Sequence, residues 1–286
     1  MPKPRELRRR IRAVQNTRKI TKTMEMVATS RLKRAQDRLE AARPYARALA
    51  ETIGRLLTPE LVEQHPLLRQ PQARRRAAVL LLTSNRGLAG AFNTNLIREA
   101  RALIDRLRGE GLEVELHVVG KKGVNFFRFR GEPMATARVD IGDRPTPDDA
   151  IGLADPLIEA YGRGDVDAVY VVQAHLKSLL ATPPQTRPIL PVSPPEGGAV
   201  PREYLLEPDA RAILDRLLPL YVRNQIFLAL VETAAAEQAA RRIAMKNATD
   251  NADELLRLLV RTYNRARQAQ ITQEIAEIVG GAAALD

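Results

Sequence analysis

The sequence predicts a mixed fold in which two long terminal helices, paired as an antiparallel coiled coil, flank an inserted α/β domain. Residues 220–279 contain neither Gly nor Pro, residues 5–43 also contain neither, and the middle of the chain alternates short apolar runs with amphipathic segments. Sixty residues in one helix would extend about 90 Å, whereas a domain of about 100 residues has a radius of gyration of about 13 Å. A helix of this length must pair with another helix or be enclosed by other subunits.

The composition is that of a globular chain with an aliphatic core. Its 286 residues are 45% hydrophobic and 4% aromatic, with no Trp and no Cys. The absence of Cys excludes disulfides and thiolate chemistry. No apolar run reaches the roughly 18 residues of a membrane-spanning helix. No signal peptide is expected, because the basic residues 1–12 lead into no apolar run.

The excess positive charge of the chain lies in its first segment. The net charge is +11, and residues 1–55 hold 16 Lys and Arg against five Asp and Glu. The other residues carry equal numbers of basic and acidic side chains. This distribution predicts an acidic partner for the first segment, which means nucleic acid, anionic lipid or an acidic protein surface.

The N-terminal coiled-coil helix is predicted over residues 1–57. Its apolar residues recur at steps of three and four, as in a heptad seam: Leu32, Ala35, Leu39, Ala42, Ala46, Leu49, Ile53 and Leu56. Ile20, Met24 and Val27 predict an earlier seam of the same kind. Pro44 predicts a bend, because a proline inside a helix removes a hydrogen bond and costs about 3 kcal/mol.

A linker over residues 58–76 and an α/β domain over residues 77–202 follow. The apolar runs predict strands and the amphipathic segments predict helices. Strands are expected at 77–83, 114–119, 135–141 and 168–173, and helices at 94–108, 121–130 and 146–161. Thr146 and Asp149 predict a capping box at the start of the last of these helices. The alternation predicts a mostly parallel, Rossmann-like sheet, with the proline-rich residues 182–202 as edge structure and loop.

The C-terminal coiled-coil helix is predicted over residues 208–286, with Asp209 as its cap. A stripe of small residues should face the N-terminal helix and allow its close approach: Ala229, Thr233, Ala236, Ala240, Ala244, Ala248 and Ala252. An apolar seam continues from Leu256 through Tyr263 and resumes, shifted by one residue, at Ile271. Whether the helix is kinked at Pro219 stays open. Whether it is broken at the polar cluster of residues 247–253 also stays open, since Asn and Asp favour caps and turns over helix interiors.

No catalytic, metal or cofactor site is predicted. The Gly-containing loop at residues 86–90 lies between a predicted strand and a predicted helix, where a phosphate could bind. It matches neither GxGxxG nor GxxxxGK[ST], so a tight turn is the preferred interpretation. His65, His117 and His175 are isolated and lack the spacing of metal ligands.

Two other functions remain open from the residues alone. The basic first helix could bind nucleic acid, although it carries no interleaved aromatic residues for base stacking. The loop at 86–90 could serve a nucleotide-dependent enzyme, in which case the purified chain should bind or turn over nucleotide.

Five stretches of the sequence resemble one known family, the gamma subunits of F-type ATP synthases. The two terminal blocks are similar to the family's terminal motifs: RIRAVQNTRKITKTMEMVA at 10–28 and ITQEIAEIVGGAAA at 271–284. Shorter stretches that resemble the family lie at 85–90, 237–241 and 245–251. The resemblance covers essentially the whole chain.

The resemblance implies a non-catalytic rotor subunit in the central stalk of a proton-translocating ATP synthase. The coiled coil would turn inside a ring of alpha and beta subunits, driven by a membrane c-ring, with the epsilon subunit beside the α/β domain. The chain would lie at the cytoplasmic face of a bacterial membrane, held through the c-ring without entering the lipid, and would bind neither a cofactor nor nucleic acid.

The resemblance also implies contact residues, carried over at matching positions. Contacts with the beta subunits fall on Met24, Arg241, Arg267, Gln268 and Thr272. The foot that meets the c-ring and the epsilon subunit falls on Tyr204, Leu205, Leu206 and Glu207.

Overall fold

The structure, a computed structural model, describes residues 4–71, 74–193 and 209–283, without the side chains of Pro59 and residues 279–283. The chain forms two compact units, one of residues 29–241 and the other of residues 1–28 with 242–286. The first helix, α1 (Pro4–Leu56), and the last, α6 (Ala210–Ala283), contribute residues to both units. The predicted long terminal helices and the inserted α/β domain are confirmed.

The α/β domain in the unit of residues 29–241 contains a mostly parallel sheet. The order along the chain is α2 (Pro59–Gln64), β1 (Arg76–Leu82), α3 (Phe92–Gly109), β2 (Glu113–Val119), α4 (Lys121–Phe129), β3 (Thr136–Arg138), α5 (Pro147–Arg163), β4 (Ala168–Ala174) and β5 (Pro184–Leu190). The strands lie in the order β3-β2-β1-β4-β5. Only β5 is antiparallel to its neighbour among the described strands, and it lies at an edge, as its prolines predict.

The sheet has a hydrophobic core on each face because successive residues of a strand point to opposite sides. In β1, Ala78, Leu80 and Leu82 pack on one face with α5 and with apolar residues of α1 and α6. Its alternate residues pack on the other face with α3 and α4. The central strand is therefore covered on both sides, which explains its continuous apolar run.

The helix boundaries follow local signals in most places. Thr146 and Asp149 form the predicted capping box of α5. Asp209 accepts a 2.8 Å hydrogen bond from the Ala212 amide and caps α6 as predicted. The linker prediction for residues 58–76 is wrong in part, because α2 forms there with Thr58 as its cap and Pro59 in its first turn.

Both long helices are continuous at the three places where the sequence suggested a bend, a kink or a break. Pro44 lies inside α1 and Pro219 lies inside α6. Residues 247–253 form an unbroken part of α6. The predicted heptad residues of α1 from Leu32 to Leu56 are buried or half-buried, so that seam is confirmed.

The unit of residues 1–28 and 242–286 is a pair of antiparallel helix segments. From the start of α1 onwards, Arg8 contacts Tyr263, Arg18 contacts Asp253 and Thr21 contacts Thr249. The residues in contact therefore run in opposite directions along the two helices, as the coiled-coil prediction requires. No described helix combines the length and the apolar character needed to cross a membrane.

The predicted early seam of α1 is wrong at two of its three residues, while Met24 is half-buried as a seam residue would be. Ile20 and Val27 are exposed, whereas Thr21 and Ala28 are buried. The small side chains of Thr21 and Ala28 allow a closer approach of a neighbouring helix than Ile and Val would. The prediction that Ala236 faces the N-terminal helix is also wrong, because Ala236 belongs to the core between the sheet, α3 and α4.

Candidate functional site

The carboxyl ends of the parallel strands are the first place to search, because open α/β sheets bind their ligands there. The loop that follows β1 contains Asn85, which connects this loop to the ends of two other strands. Its side-chain amide donates to the carbonyl oxygens of Val139 and Ile141 at 3.1 and 2.8 Å, and its oxygen accepts from the Lys121 amide at 2.8 Å. The loops after β1, β2 and β3 are thus held together by one side chain.

The strand order reverses between β1 and β4, and helix α6 covers the sheet edge there. Glu232 of α6 accepts hydrogen bonds from the Gln173 amide at 2.9 Å and from the Leu176 backbone amide at 3.2 Å. Its carboxylate also lies 2.7 Å from Nδ1 of His175. Thr233 accepts a 3.3 Å bond from the Ala174 amide.

This carboxylate changes what the sheet edge can bind. In nucleotide-binding folds of this type the crevice at the strand reversal receives phosphate groups. Here the crevice holds a buried carboxylate of the same chain, and Glu232 would repel a phosphate placed beside it. The sequence interpretation missed Glu232 and Gln173. The available signal was an acid that follows the mostly apolar residues 226–231.

The Gly-containing loop at residues 86–90 is a tight turn against α6. Leu88 and Gly90 have positive φ values of 62° and 59°. The Gly87 carbonyl accepts a 3.2 Å hydrogen bond from Arg241 of α6. The predicted turn is confirmed, and its backbone contacts a helix of the same chain.

Arg241, predicted to contact a beta subunit, is buried in a pair with Glu237. Only 7% of Arg241 is exposed, and its guanidinium donates to the Glu237 carboxylate one helical turn earlier. Burial raises the pKa of the Glu237 carboxyl, and the Arg241 charge opposes that rise. The arrangement holds a partly compensated charge beside the loop after β1.

The helix pair of the smaller unit presents basic and polar groups along its surface. Arg18 and Asp253 form a 2.7 Å ion pair between α1 and α6. The Arg8 guanidinium donates to the Tyr263 hydroxyl at 2.6 Å and lies 5.6 Å from the ring centroid. Thr21 and Thr249 are hydrogen-bonded at 2.8 Å in the buried seam. Exposed ion pairs such as Arg18 with Asp253 contribute about 0–1 kcal/mol each.

The other predicted beta contacts lie on the smaller unit. Met24 is half-buried on α1. Arg267, Gln268 and Thr272 are exposed on α6, and within the described chain they make no side-chain hydrogen bond or ion pair. The predicted foot, Tyr204 to Glu207, lies outside the described residues.

The three histidines have separate structural contacts. His65 lies 3.0 Å from Asp215, His117 is bonded to Thr136 at 3.0 Å, and His175 contacts Glu232. Burial lowers the pKa of both His65 and His117. Among the described residues no group of three or more His, Cys, Asp or Glu side chains could hold a metal ion.

Comparison with known proteins matches the whole chain to one family. The family model described as ATP synthase matches residues 3–285. The ATP synthase gamma chain of Gemmatimonas aurantiaca is 58% identical and covers 100% of this chain and 99% of its own length. The gamma chain of Frankia casuarinae is 45% identical over 98% of this chain and 97% of its own.

Solved structures agree with the fold. The central stalk and c-ring structure of the Tetrahymena thermophila mitochondrial ATP synthase contains a chain with a TM-score of 0.60 and 25% identity. The match covers 80% of this chain and 99% of that one. A chain of the Euglena gracilis mitochondrial ATP synthase has a TM-score of 0.68 at 19% identity and covers 99% of this chain and 94% of its own. The chain therefore belongs to the ATP synthase gamma-chain family.

Proposed function

We propose that this chain turns as the central-stalk rotor of a proton-translocating F-type ATP synthase and transmits c-ring rotation to catalytic beta subunits. The end of α6 is the observation that carries the proposal. Residues 267–278 are exposed, and they include Ile271, Ile275 and Ile278. Exposed apolar residues at this density mark a surface that another protein covers. A surrounding ring of alpha and beta subunits would cover it.

The proposed contacts with beta lie along the same unit. Arg267, Gln268 and Thr272 have exposed polar groups that a beta loop could bind near the tip. Met24 would lie near an acidic lever loop of beta. Arg241 would bind beta only after its guanidinium leaves Glu237, because the isolated chain buries that pair.

Weak contacts suit this function better than strong ones. A rotor changes the state of a beta subunit only if its contacts differ between the subunit's conformations. Each contact must also be released as the rotor turns. Exposed ion pairs of about 0–1 kcal/mol satisfy both conditions. The basic side chains of α1 would attract acidic beta segments without holding them permanently.

The remaining partners belong to the lower part of the same assembly. Tyr204, Leu205, Leu206 and Glu207 would meet the c-ring and the epsilon subunit. The chain would then be a peripheral protein at the cytoplasmic face of the membrane. The chain itself would catalyse no reaction, because the nucleotide sites would belong to alpha and beta.

Co-expression with alpha and beta subunits tests the proposal. The full chain should co-purify with them as one complex that hydrolyses ATP. A chain ending at Ala266, and separately the variant Arg267→Ala with Gln268→Ala, should reduce ATP-driven proton pumping in membranes containing the complete enzyme. Arg128→Ala, an exposed arginine at the end of α4, is the control and should pump normally.

The shortened chain has an internal control for folding. Its thermal unfolding should match that of the full chain, since residues 267–278 are exposed in the isolated protein. Failure to co-purify with alpha and beta would contradict the rotor assignment. Normal coupling in both altered chains would contradict the assignment of the contact residues.

A further inference from the structure

A basic cleft lies beside the carboxyl edge of the sheet, within the unit of residues 29–241. Its volume is about 660 Å³, and its walls come from α1, the loop after β1, the loop after β3 and α6. Five arginines line it: Arg31, Arg34, Arg38, Arg86 and Arg144. A concave surface lined by one sign of charge concentrates the electrostatic potential inside it.

Most of this charge is not compensated within the described chain. Asp143 pairs with Arg31 at 2.6 Å and is the acid among the lining residues. Arg34 donates only to Ser30, which is neutral. Among the described residues, Arg38, Arg86 and Arg144 have neither an ion pair nor a side-chain hydrogen bond. Three of the five arginines that line the cleft therefore keep guanidinium donors without a partner in the described chain.

A buried amide in the same wall also lacks a partner. Gln238 of α6 lines the cleft and is 2% exposed. Neither its Nε2 nor its Oε1 has a hydrogen-bond partner in the described structure. Buried polar groups nearly always have a hydrogen-bond partner. An amide without partners in the wall of a basic cleft therefore points to a bound polar ligand.

We propose that this cleft binds a small polyphosphate and recognises it through its phosphate groups alone. Guanidinium groups match phosphate oxygens in pairs of parallel hydrogen bonds. The lining carries five arginines against one aspartate, which suits an anion with several negative charges. The Gln238 amide would donate to a phosphate oxygen.

The lining also predicts that the cleft does not recognise the base of a nucleotide. It contains no Phe, Tyr or Trp on which a base could stack. A free triphosphate and the triphosphate of any nucleotide should therefore bind alike, and a nucleoside without phosphate should not bind. An acidic peptide spreads its carboxylates along an extended chain, so it should compete poorly for a cleft of this size.

Isothermal titration calorimetry of the full chain tests the proposal with sodium tripolyphosphate, ATP, GTP and adenosine. Tripolyphosphate, ATP and GTP should bind with similar Kd values that weaken as salt is added, and adenosine should give no signal. Arg38→Gln and Arg144→Gln should each weaken tripolyphosphate about tenfold. Arg12→Gln removes the same charge from an exposed position of α1 and should bind normally.

Gln238→Leu separates a ligand site from a structural role. It should weaken tripolyphosphate binding while leaving the thermal midpoint of the free chain unchanged or raised, because it removes two unpaired buried atoms. The absence of tripolyphosphate binding, or equal losses in Arg12→Gln and Arg38→Gln, would overturn the proposal. A strong preference for ATP over GTP, or tighter binding of a hexaglutamate peptide than of tripolyphosphate, would also overturn it.

Discussion

The ionisation of one buried residue, Glu237, links the stability of the larger unit to pH. Burial raises its pKa above the ordinary value of 4.5, so the folded chain holds this proton more tightly than the unfolded chain does. Between 4.5 and the raised pKa the folded state binds more protons. The contribution of Glu237 to the free energy of unfolding therefore falls as pH rises through that range.

We expect Glu237→Gln to remove this part of the pH dependence. The neutral amide cannot titrate, and Arg241 would lose its charged partner at every pH. Urea unfolding of both chains at several pH values from about 4.5 to 7 gives the slope of the free energy of unfolding against pH for each chain. Identical slopes in the two chains would contradict the assignment.

Gly120 shows how closely two loops approach at the sheet edge. Its φ is 96°, and a Cβ atom at this position would lie 2.1 Å from the Thr83 carbonyl oxygen. We expect Gly120→Ala to lower the free energy of unfolding by more than about 3 kcal/mol, because the added atom has no room and the backbone conformation disfavours a side chain.

Gly109 is the matched control for this substitution. A Cβ atom there meets nothing within 4 Å, and the residue belongs to α3. Gly109→Ala should therefore raise the free energy of unfolding by up to about 1 kcal/mol. Chemical denaturation of both variants provides the measurement. Equal changes in the free energy of unfolding would contradict the close contact between Gly120 and Thr83.

At the scale of the elements, Pro44 lies within α1 although it cannot donate a helical hydrogen bond. Its side chain is exposed, so replacement leaves no cavity. We expect Pro44→Ala to raise the free energy of unfolding by about 1–3 kcal/mol, since the alanine amide can complete the helix. Urea denaturation measures the gain.

Pro133 provides a comparison outside regular structure. It lies between α4 and β3, where replacement by Ala restores no helical hydrogen bond. Pro133→Ala should leave stability unchanged or slightly lower, because the unfolded chain gains conformational freedom. A gain as large as that of Pro44→Ala would indicate that the helix is not the source.

The sequence predicted elements well where one periodicity extends over many residues. The steps of three and four from Leu32 to Leu56 and the apolar run before Thr83 led to the correct helix and strand. In the early α1 seam, Ile20 and Val27 look more like seam residues than Thr21 and Ala28 do, yet Thr21 and Ala28 are the buried ones. The exposure of Ile20 and Val27 depends on helix packing that local hydrophobicity does not encode.

The contacts of the candidate site were harder to predict than the elements. Glu232 and Gln173 are 59 residues apart, and neither residue type predicts a contact with the other. The burial of Arg241 depends on a loop carbonyl at Gly87, which is distant in sequence. Such pairs become visible only when the order of the strands and the path of α6 are known.

At the scale of the whole molecule, the two units differ in how fully they cover their helices and strands. The sheet of the larger unit is packed on both faces. In the smaller unit most residues of α6 after Arg257 are exposed or half-buried. We expect the amides of 250–275 to exchange with solvent faster than those of β1 and β4 in the isolated chain.

Hydrogen–deuterium exchange with mass spectrometry checks this expectation. The same residues should become protected when the chain is assembled with alpha and beta subunits, since the proposed ring would cover them. The amides of β1 serve as the control and should exchange slowly in both samples. Equal exchange in 250–275 before and after assembly would argue against enclosure of this segment.

The hydrogen bonds of Glu232 have a mechanical consequence. They attach one side of α6 to the end of β4 through the Gln173 side chain and the Leu176 amide. Because the Glu232 side chain extends sideways from α6, these hydrogen bonds resist rotation of α6 about its own axis relative to the sheet. A torsional load applied to the α/β domain would then reach α6 directly, and Glu232 would be one of the points that carry the torque.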